Sequence, residues 1–203
     1  LAAAGVGHLL LADFDSVELT NLQRQILHGT ADLGRPKTTS ARDRIAALNP
    51  DITVDCIDTR LGPARLGELV KQVDIVIDGC DNFATRFAVN AACVAARRPL
   101  VSGAVIGMDG QLAVFRPDLD GPCYRCVYAD TGEEAQSCAE TGVLGPLPGV
   151  IGSLQAVEAV KVLTGLGQPL NGRLLVMDAL GQNWRRLTLR RDPDCPVCGA
   201  LAS

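Results

Sequence analysis

The chain has 203 residues, 47% of them hydrophobic but only 3% aromatic, with a formal net charge of −4. That length buries one full core, so a single domain over residues 1–203 is expected. The acidic balance argues against non-specific nucleic-acid binding, and a composition rich in Ala, Val and Leu with 21 Gly suits an α/β protein of short apolar strands.

Leu1-Ala2-Ala3-Ala4-Gly5 reads as the last turn of a helix with Gly5 just past its end. Val6 to Ala12 is an apolar strand run closing in Asp13-Phe14-Asp15. Pro36 suits the first position of a helix that runs to about Leu48 and stops at Asn49-Pro50. Ile52 to Ile57 predicts a second strand, Arg65 to Gln72 a helix, Asp74 to Asp78 a short buried strand, Asn82 to Arg97 a long Ala-rich helix, and Pro99 to Ala104 another strand. Strands alternating with helices of this length form βαβ units, hence a parallel sheet with right-handed crossovers. Beyond residue 105 the pattern changes. Gln111 to Arg116, Arg173 to Asp178 and Trp184 to Arg190 read as strands, and Val150 to Leu163 as a helix apolar nearly all round, interrupted only by Gln155, Glu158 and Lys161. Such a helix is expected to be buried on most faces. Thr141 to Val157 carries no charge, but Pro146, Pro148 and four glycines make it a loop and helix start rather than a membrane span. No signal peptide is visible, and a soluble cytoplasmic protein is expected.

Two Cys-x-x-Cys pairs, Cys123/Cys126 and Cys195/Cys198, form a four-thiolate set of the kind Zn²⁺ takes in closed structural sites. Two disulfides or four free thiols are the alternatives. With all four positions filled by Cys, no coordination site is left for water, so the metal would brace the middle of the chain against its end and the chemistry must lie elsewhere. Cys56 and Cys93 fall in a strand and a helix, where Cys behaves as a small apolar residue. His8 and His28 have no partner legible in the sequence.

In nucleotide-binding α/β sheets the ligand lies at the carboxyl ends of the strands. Asp13 stands there after the first strand, where a carboxylate accepts from ribose hydroxyls; Asp78 and Asp81-Asn82 follow a later strand, where a carboxylate can hold Mg²⁺ against phosphate. Arg24 and Lys37 are cations of the kind needed beside a triphosphate, Arg as a fork and Lys as a point charge.

These segments, in this order, resemble the ThiF/MoeB/HesA family over essentially the whole chain, and most of all its MoeB-type molybdopterin-synthase sulfur-carrier adenylyltransferases. The resemblance is carried by residues 13–25 (Asp-Phe-Asp-Ser-Val-Glu-Leu-Thr-Asn-Leu-Gln-Arg-Gln), Gly34-Arg35-Pro36-Lys37, Asp81-Asn82, residues 149–156 and both cysteine knuckles. It implies a Rossmann-like, mostly parallel sheet with C-terminal antiparallel strands and a four-cysteine zinc site. It also implies ATP- and Mg²⁺-dependent adenylation of the C-terminal glycine of a ubiquitin-like sulfur carrier, in molybdopterin or thiamine-type sulfur transfer. On the family pattern Asp13 holds the ribose, Thr20, Asn21, Leu22, Gln23, Arg24 and Lys37 contact the phosphates, and Asp81 with Asn82 binds metal and nucleotide. Arg24, Lys37 and Asp81 would carry catalysis. The resemblance further implies a homodimer and a separate protein as sulfur donor. It places the sheet's first strand and the glycine-rich phosphate loop ahead of Leu1, so the 203-residue chain is expected to be an N-terminally truncated adenylation domain.

Relatives carry a cysteine at Cys138 that links covalently to the carrier or takes part in sulfur transfer; here Glu133, Glu134 and Glu140 would raise its pKa, and Cys138 is a candidate only. Two other readings stay open. One is a non-catalytic nucleotide-fold module that only binds a carrier protein. The other is a dinucleotide-dependent oxidoreductase, for which the phosphate cations and paired knuckles would have no use.

Overall fold

The computed structural model describes residues 1–129 and 142–199. The chain divides into two compact units, Leu1–Leu61 and Gly62–Ser203. In the first unit the opening turn closes at Gly5, whose φ of +85° favours glycine. Strand β1 (His8–Ala12) follows, then helix α1 (Lys37–Leu48) and β2 (Thr53–Ile57), which pairs parallel to β1 in the register Leu9–Val54 and Leu11–Cys56. Pro36 sits one position ahead of the expected place, as the residue capping α1. The long segment between β1 and α1 is held by its backbone: Lys37 N–H donates to Asp15 C=O (3.0 Å), Val17 N–H to Arg35 C=O (2.9 Å) and Gly34 N–H to Val17 C=O (2.9 Å). Two short 3₁₀ turns, Leu19–Asn21 and Thr30–Asp32, fill the loop.

The second unit begins with α2 (Pro63–Val70) and β3 (Val76–Asp78), then α3 (Phe83–Ala95), β4 (Leu100–Ile106) and β5 (Asp109–Phe115). A short helix α4 (Tyr124–Val127) lies inside the first knuckle, and α5 (Pro146–Thr164), β6 (Arg173–Asp178) and β7 (Asn183–Thr188) complete the order. Its sheet runs β3-β4-β5-β6-β7, with β3 and β4 parallel and the other ladders antiparallel. The α/β alternation with a parallel part and C-terminal antiparallel strands is therefore present. Alternating strand residues face opposite sides. Leu100, Ala113, Phe115 and Leu174 pack with Val89, Cys93 and Tyr124 in the main core, where Phe83, Phe87 and Tyr128 add stacked and edge-on rings. Five of the chain's seven aromatic residues are thus concentrated around α3 and α4.

Helix α5 lies against β4 and β5. It touches where glycine removes a side chain: a Cβ at Gly103 would meet Gln155 at 2.5 Å, and one at Gly110 would meet Ile151 at 2.6 Å. The expectation for this helix is corrected in two respects. It starts a turn earlier, because Pro146 and Pro148 fall in the first turn, where a missing N–H costs nothing. It is also not buried on most faces. Polar Gln155 and Glu158 are buried and hydrogen-bonded, whereas Val150, Val157 and Leu163 are exposed. No helix among the described residues is long and apolar enough to cross a membrane.

Candidate functional site

In the first unit the loop after β1 gathers Asp13, Asp15 and Lys37. Asp13 N–H donates to Ile57 C=O (3.0 Å), continuing the β1–β2 ladder by one residue, and the Asp13 carboxylate accepts from Asp15 N–H (2.9 Å). Lys37, at the start of α1, is largely buried, and its Nζ lies 2.9 Å from Asp15 Oδ2 and 3.9 Å from Asp13 Oδ2. Asp15 is a partner the sequence did not announce. Its only signal was its place two residues beyond Asp13, at the carboxyl end of the strand. Arg24 turns back on its own loop, Nη1 donating to Thr20 C=O (3.0 Å), and so ties the two ends of the Thr20–Arg24 run together. In that run Asn21 is buried, Thr20 and Gln23 are exposed, and Leu22 is half-buried. Gln25 Oε1 and Thr38 Oγ1 are buried without a hydrogen-bond partner among the described residues. An orphan of this kind costs about 1–3 kcal/mol unless something fills it.

His28 does have a partner: its Nδ1 lies 2.8 Å from Ser40 Oγ on α1. Burial pushes its pKa below the ordinary histidine value, with Asp32 opposing and Lys37 assisting. His8 pairs with Asp55 at 2.9 Å on the surface.

In the second unit Asp78 ends β3 and is buried, with its carboxylate fully engaged. Oδ1 accepts from Cys80 N–H (2.9 Å), and Oδ2 accepts from Ser102 Oγ (3.1 Å) and lies 3.5 Å from Arg86 Nη1. Arg86 also donates to the carbonyls of Gly103 (3.0 Å) and Cys80, and Gln155 Nε2 donates to Asp78 C=O (2.8 Å). Asp78 is therefore scaffold, which leaves Asp81 as the open carboxylate of this strand end. Asp81 and Asn82 are exposed, and Asn82 caps α3 by accepting from Thr85 N–H (2.8 Å). Arg86 and Asn90 escaped the sequence reading. Their signal was polar residues at intervals of four, Asn82, Arg86 and Asn90, in an otherwise Ala-rich helix. The cavity beside Asp81, lined also by Arg86, Gln111 and Tyr128, holds about 100 Å³. Small-molecule sites run to roughly 300–1,000 Å³, so this cavity is too small to enclose a nucleotide. Burial and the neighbouring Asp78 push the Cys80 thiol well up, and burial raises Cys93 to about 12, so neither is an activated nucleophile. Cys138 lies outside the described residues.

The two knuckles meet. The four Sγ atoms of Cys123, Cys126, Cys195 and Cys198 all lie within 4.8 Å of one another, with separations of 3.8 Å (Cys123–Cys126), 3.7 Å (Cys123–Cys195) and 3.4 Å (Cys126–Cys198). A disulfide requires about 2.05 Å, so these are free thiols. Tetrahedral Zn–S bonds of about 2.3 Å would place sulfurs roughly 3.8 Å apart, and the cluster fits that spacing. The surroundings suit thiolates: the N–H groups of Cys123 and Asp192 point at Cys126 Sγ (3.5 Å each), and Asn90 Nδ2 at Cys123 Sγ (3.7 Å). Burial pushes the Cys195 thiol up, but the backbone N–H groups of Cys198 and Val197 outweigh it with their neighbours and bring it down to about 7. The group can hold a metal ion.

The ThiF family profile matches residues 1–197, and the chain belongs to the ThiF family. It is 50% identical over 199 residues to the molybdopterin-synthase adenylyltransferase of Escherichia coli K12, covering 98% of this chain and 80% of that one. It is 49% identical over 205 residues to the sulfur carrier protein adenylyltransferase of Thermus thermophilus (98% and 76%) and 47% identical over 199 residues to the sulfur carrier protein ThiS adenylyltransferase of E. coli K12 (98% and 79%). Among solved structures it resembles the microcin C7 biosynthetic enzyme MccB in complex with N-formylated MccA, with a TM-score of 0.86 at 24% identity. That match covers 98% of this chain and 62% of MccB, so the chain spans about three fifths of that longer protein. At this identity the likeness shows the fold alone.

Proposed function

We propose that this protein is an adenylyltransferase that activates the C-terminal glycine of a ubiquitin-like sulfur-carrier protein with ATP, for molybdopterin or thiamine-type sulfur transfer. The observation that supports it best is the near 50% identity, across 98% of the chain, to proteins named as adenylyltransferases of molybdopterin synthase and of sulfur carriers. In the reaction a carrier carboxylate oxygen bonds to the α-phosphorus of ATP, the bond to the β-phosphate oxygen breaks, and pyrophosphate leaves. No protein base is required, because the nucleophile is already ionised at neutral pH.

In this reading Asp13 takes the ribose, and Thr20, Asn21, Leu22, Gln23, Arg24 and Lys37 contact the phosphates. Lys37 is held ready by two carboxylates that remain half in solvent. Asp81 and Asn82 are read as ligands for metal and nucleotide. Mg²⁺ would offset charge developing on the phosphate oxygens, and fixed cations stabilise that charge without reorganising. Zn²⁺ occupies the four-cysteine cluster in a structural role. Cys138 is the candidate for a covalent link to the carrier. The protein acts in the cytoplasm as a homodimer, with the exposed Val150, Val157 and Leu163 of α5 among the surfaces available to be covered, and it takes sulfur from a separate donor. The 203 residues form a single adenylation domain.

Carrier-dependent exchange of labelled pyrophosphate into ATP tests the reaction. Exchange that appears only with a carrier bearing a C-terminal glycine supports it. Carrier binding without exchange would favour the non-catalytic module, and neither binding nor exchange would end both readings. Elemental analysis should find one zinc per chain; reduced, purified protein without metal would remove the zinc assignment.

A further inference from the structure

Phe14 is the one phenylalanine outside the main core. The other three pack in or against that core with both tyrosines, whereas Phe14 is 51% exposed. A single exposed apolar residue is ordinary, so the ring's place and its company carry the argument. It stands two residues beyond β1, between Asp13 and Asp15, and its backbone is held on both sides. Asp13 N–H donates to Ile57 C=O (3.0 Å), Asp15 N–H to Asp13 Oδ1 (2.9 Å), and Lys37 N–H to Asp15 C=O (3.0 Å). Over the ring lies Arg60, three residues beyond β2, with its guanidinium carbon 4.3 Å from the ring centroid. Arg60 is exposed and makes no ion pair among the described residues, so the Phe14 ring is what its guanidinium rests on. Strands β1 and β2 are parallel neighbours. Phe14 and Arg60 therefore leave the same carboxyl edge, where an α/β sheet binds nucleotides.

We propose that Phe14 and Arg60 form a clamp for the nucleobase of ATP, the base entering between the phenyl ring and the guanidinium. This rests on the reading of Asp13 as the ribose ligand and Lys37 as a phosphate ligand. The residues then follow the order of the ligand itself. The base lies at Phe14, the ribose at the neighbouring Asp13, and the phosphates at Lys37, whose Nζ is 2.9 Å from Asp15 Oδ2. The chemistry is that of stacked planes. A base presents a flat π-face to the phenyl ring, and a guanidinium is a flat, delocalised cation that stacks on aromatic faces. Planar groups in contact lie about 3.5 Å apart, so a base between the two needs a gap of roughly 7 Å and the guanidinium must move out by about 3 Å. Arg60 can make that move because it gives up no ion pair. Phe14 keeps its place, because the residues on either side of it are tied through the backbone. Stacking reads ring area rather than a hydrogen-bond pattern, so the clamp favours a purine without separating ATP from GTP.

The test measures binding of ATP, GTP and inorganic tripolyphosphate, each with Mg²⁺, to the full chain by calorimetry. Phe14→Ala should weaken ATP and GTP alike by roughly 10- to 100-fold, the usual scale for one base stacked on an aromatic ring, and leave tripolyphosphate unchanged. Phe14→Tyr should keep the affinity, and Arg60→Ala should lose it severalfold. Phe14→Trp combined with Trp184→Phe leaves a single indole, whose fluorescence ATP should quench and tripolyphosphate should not. Equal losses of ATP and tripolyphosphate in Phe14→Ala would mean that the loop itself is disturbed, and they overturn the clamp. If Phe14→Ala does not fold, Phe14→Leu, which keeps the apolar bulk without the aromatic face, decides. Tighter ATP binding in Arg60→Ala would make the guanidinium a competitor of the base and overturns the two-sided clamp. A wild type whose tight ATP binding survives Phe14→Ala unchanged loses the clamp but keeps the nucleotide site; one that binds neither ATP nor tripolyphosphate loses both.

Discussion

Each unit sets a buried cation against carboxylates at the carboxyl end of a parallel strand, and the two arrangements differ in what stays open. Lys37 is only 11% exposed, but its partners Asp13 and Asp15 are 42% and 52% exposed. In the other pair both members are closed: Arg86 is 9% exposed and Asp78 1%. An ion pair with carboxylates in water contributes little net stability, so Lys37 can exchange Asp15 for a phosphate oxygen at small cost. A closed pair cannot change partners without leaving a buried charge uncompensated. The sequence placed both Lys37 and Asp78 near the expected nucleotide; solvent access separates a ligand-ready group from scaffold.

The largest effect should come from breaking the closed pair. Arg86→Ala strands the Asp78 carboxylate and removes donors to the Cys80 and Gly103 carbonyls. A loss of about 3–5 kcal/mol is expected in chemical denaturation. A loss below about 1 kcal/mol would mean that Asp78 finds water or another donor and that the closed pair is not scaffold.

Lys37→Ala should behave in the opposite way. Carrier-dependent exchange should fall by roughly 10²-fold, equivalent to about 2.7 kcal/mol of transition-state stabilisation, while unfolding free energy stays within about 1 kcal/mol of wild type. Arg24→Ala and Asp81→Ala should share this pattern. If Lys37→Ala is inactive only because it unfolds, the distinction between open and closed pairs fails.

This contrast also marks how far the sequence was legible. The order of strands and helices could be read because Pro, Gly and Asn punctuate short apolar runs, and β6 falls where its apolar run predicts, from Arg173 to Asp178. The metal cluster was legible because Cys-x-x-Cys spacing is a local constraint that fixes its own geometry. The Asp78–Arg86–Ser102–Gln155 network was not, since its members come from four elements and only the sheet brings them together. Nor was the exposure of α5. An apolar count says how much surface a helix would bury, not which side the sheet covers, and here the sheet takes Gln155 and Glu158 and leaves Val157 outside.

A milder substitution probes the scaffold from the other side. At Gly103 a methyl group would collide with the Gln155 side chain, which donates to the Asp78 and Val101 carbonyls (2.8 and 3.2 Å). Gly103→Ala should displace that amide and strand two carbonyls, at about 1–3 kcal/mol, with zinc content unchanged. Gly103→Ala combined with Gln155→Ala should recover part of the loss if the collision is the cause.

The smallest effect belongs to His28, which links the loop after β1 to α1 through Ser40. Burial lowers its folded-state pKa below 6.5, with Asp32 and Asp13 pulling upward and Lys37 pushing downward. Well above pH 6.5 the imidazole is neutral in both folded and unfolded chains and contributes no pH dependence. As pH falls below that value the unfolded chain takes up the proton first, so stability declines until the folded-state pKa is also passed. The denaturation midpoint of the wild type should therefore drop between about pH 7 and 5 by more than that of His28→Gln, whose amide can still reach Ser40 but cannot titrate. The group is partly solvated, so the difference in slope should be small. A steeper decline in His28→Gln would show that attraction to Asp32 and Asp13 outweighs burial, and that this loop is held by charge rather than by the Ser40 contact.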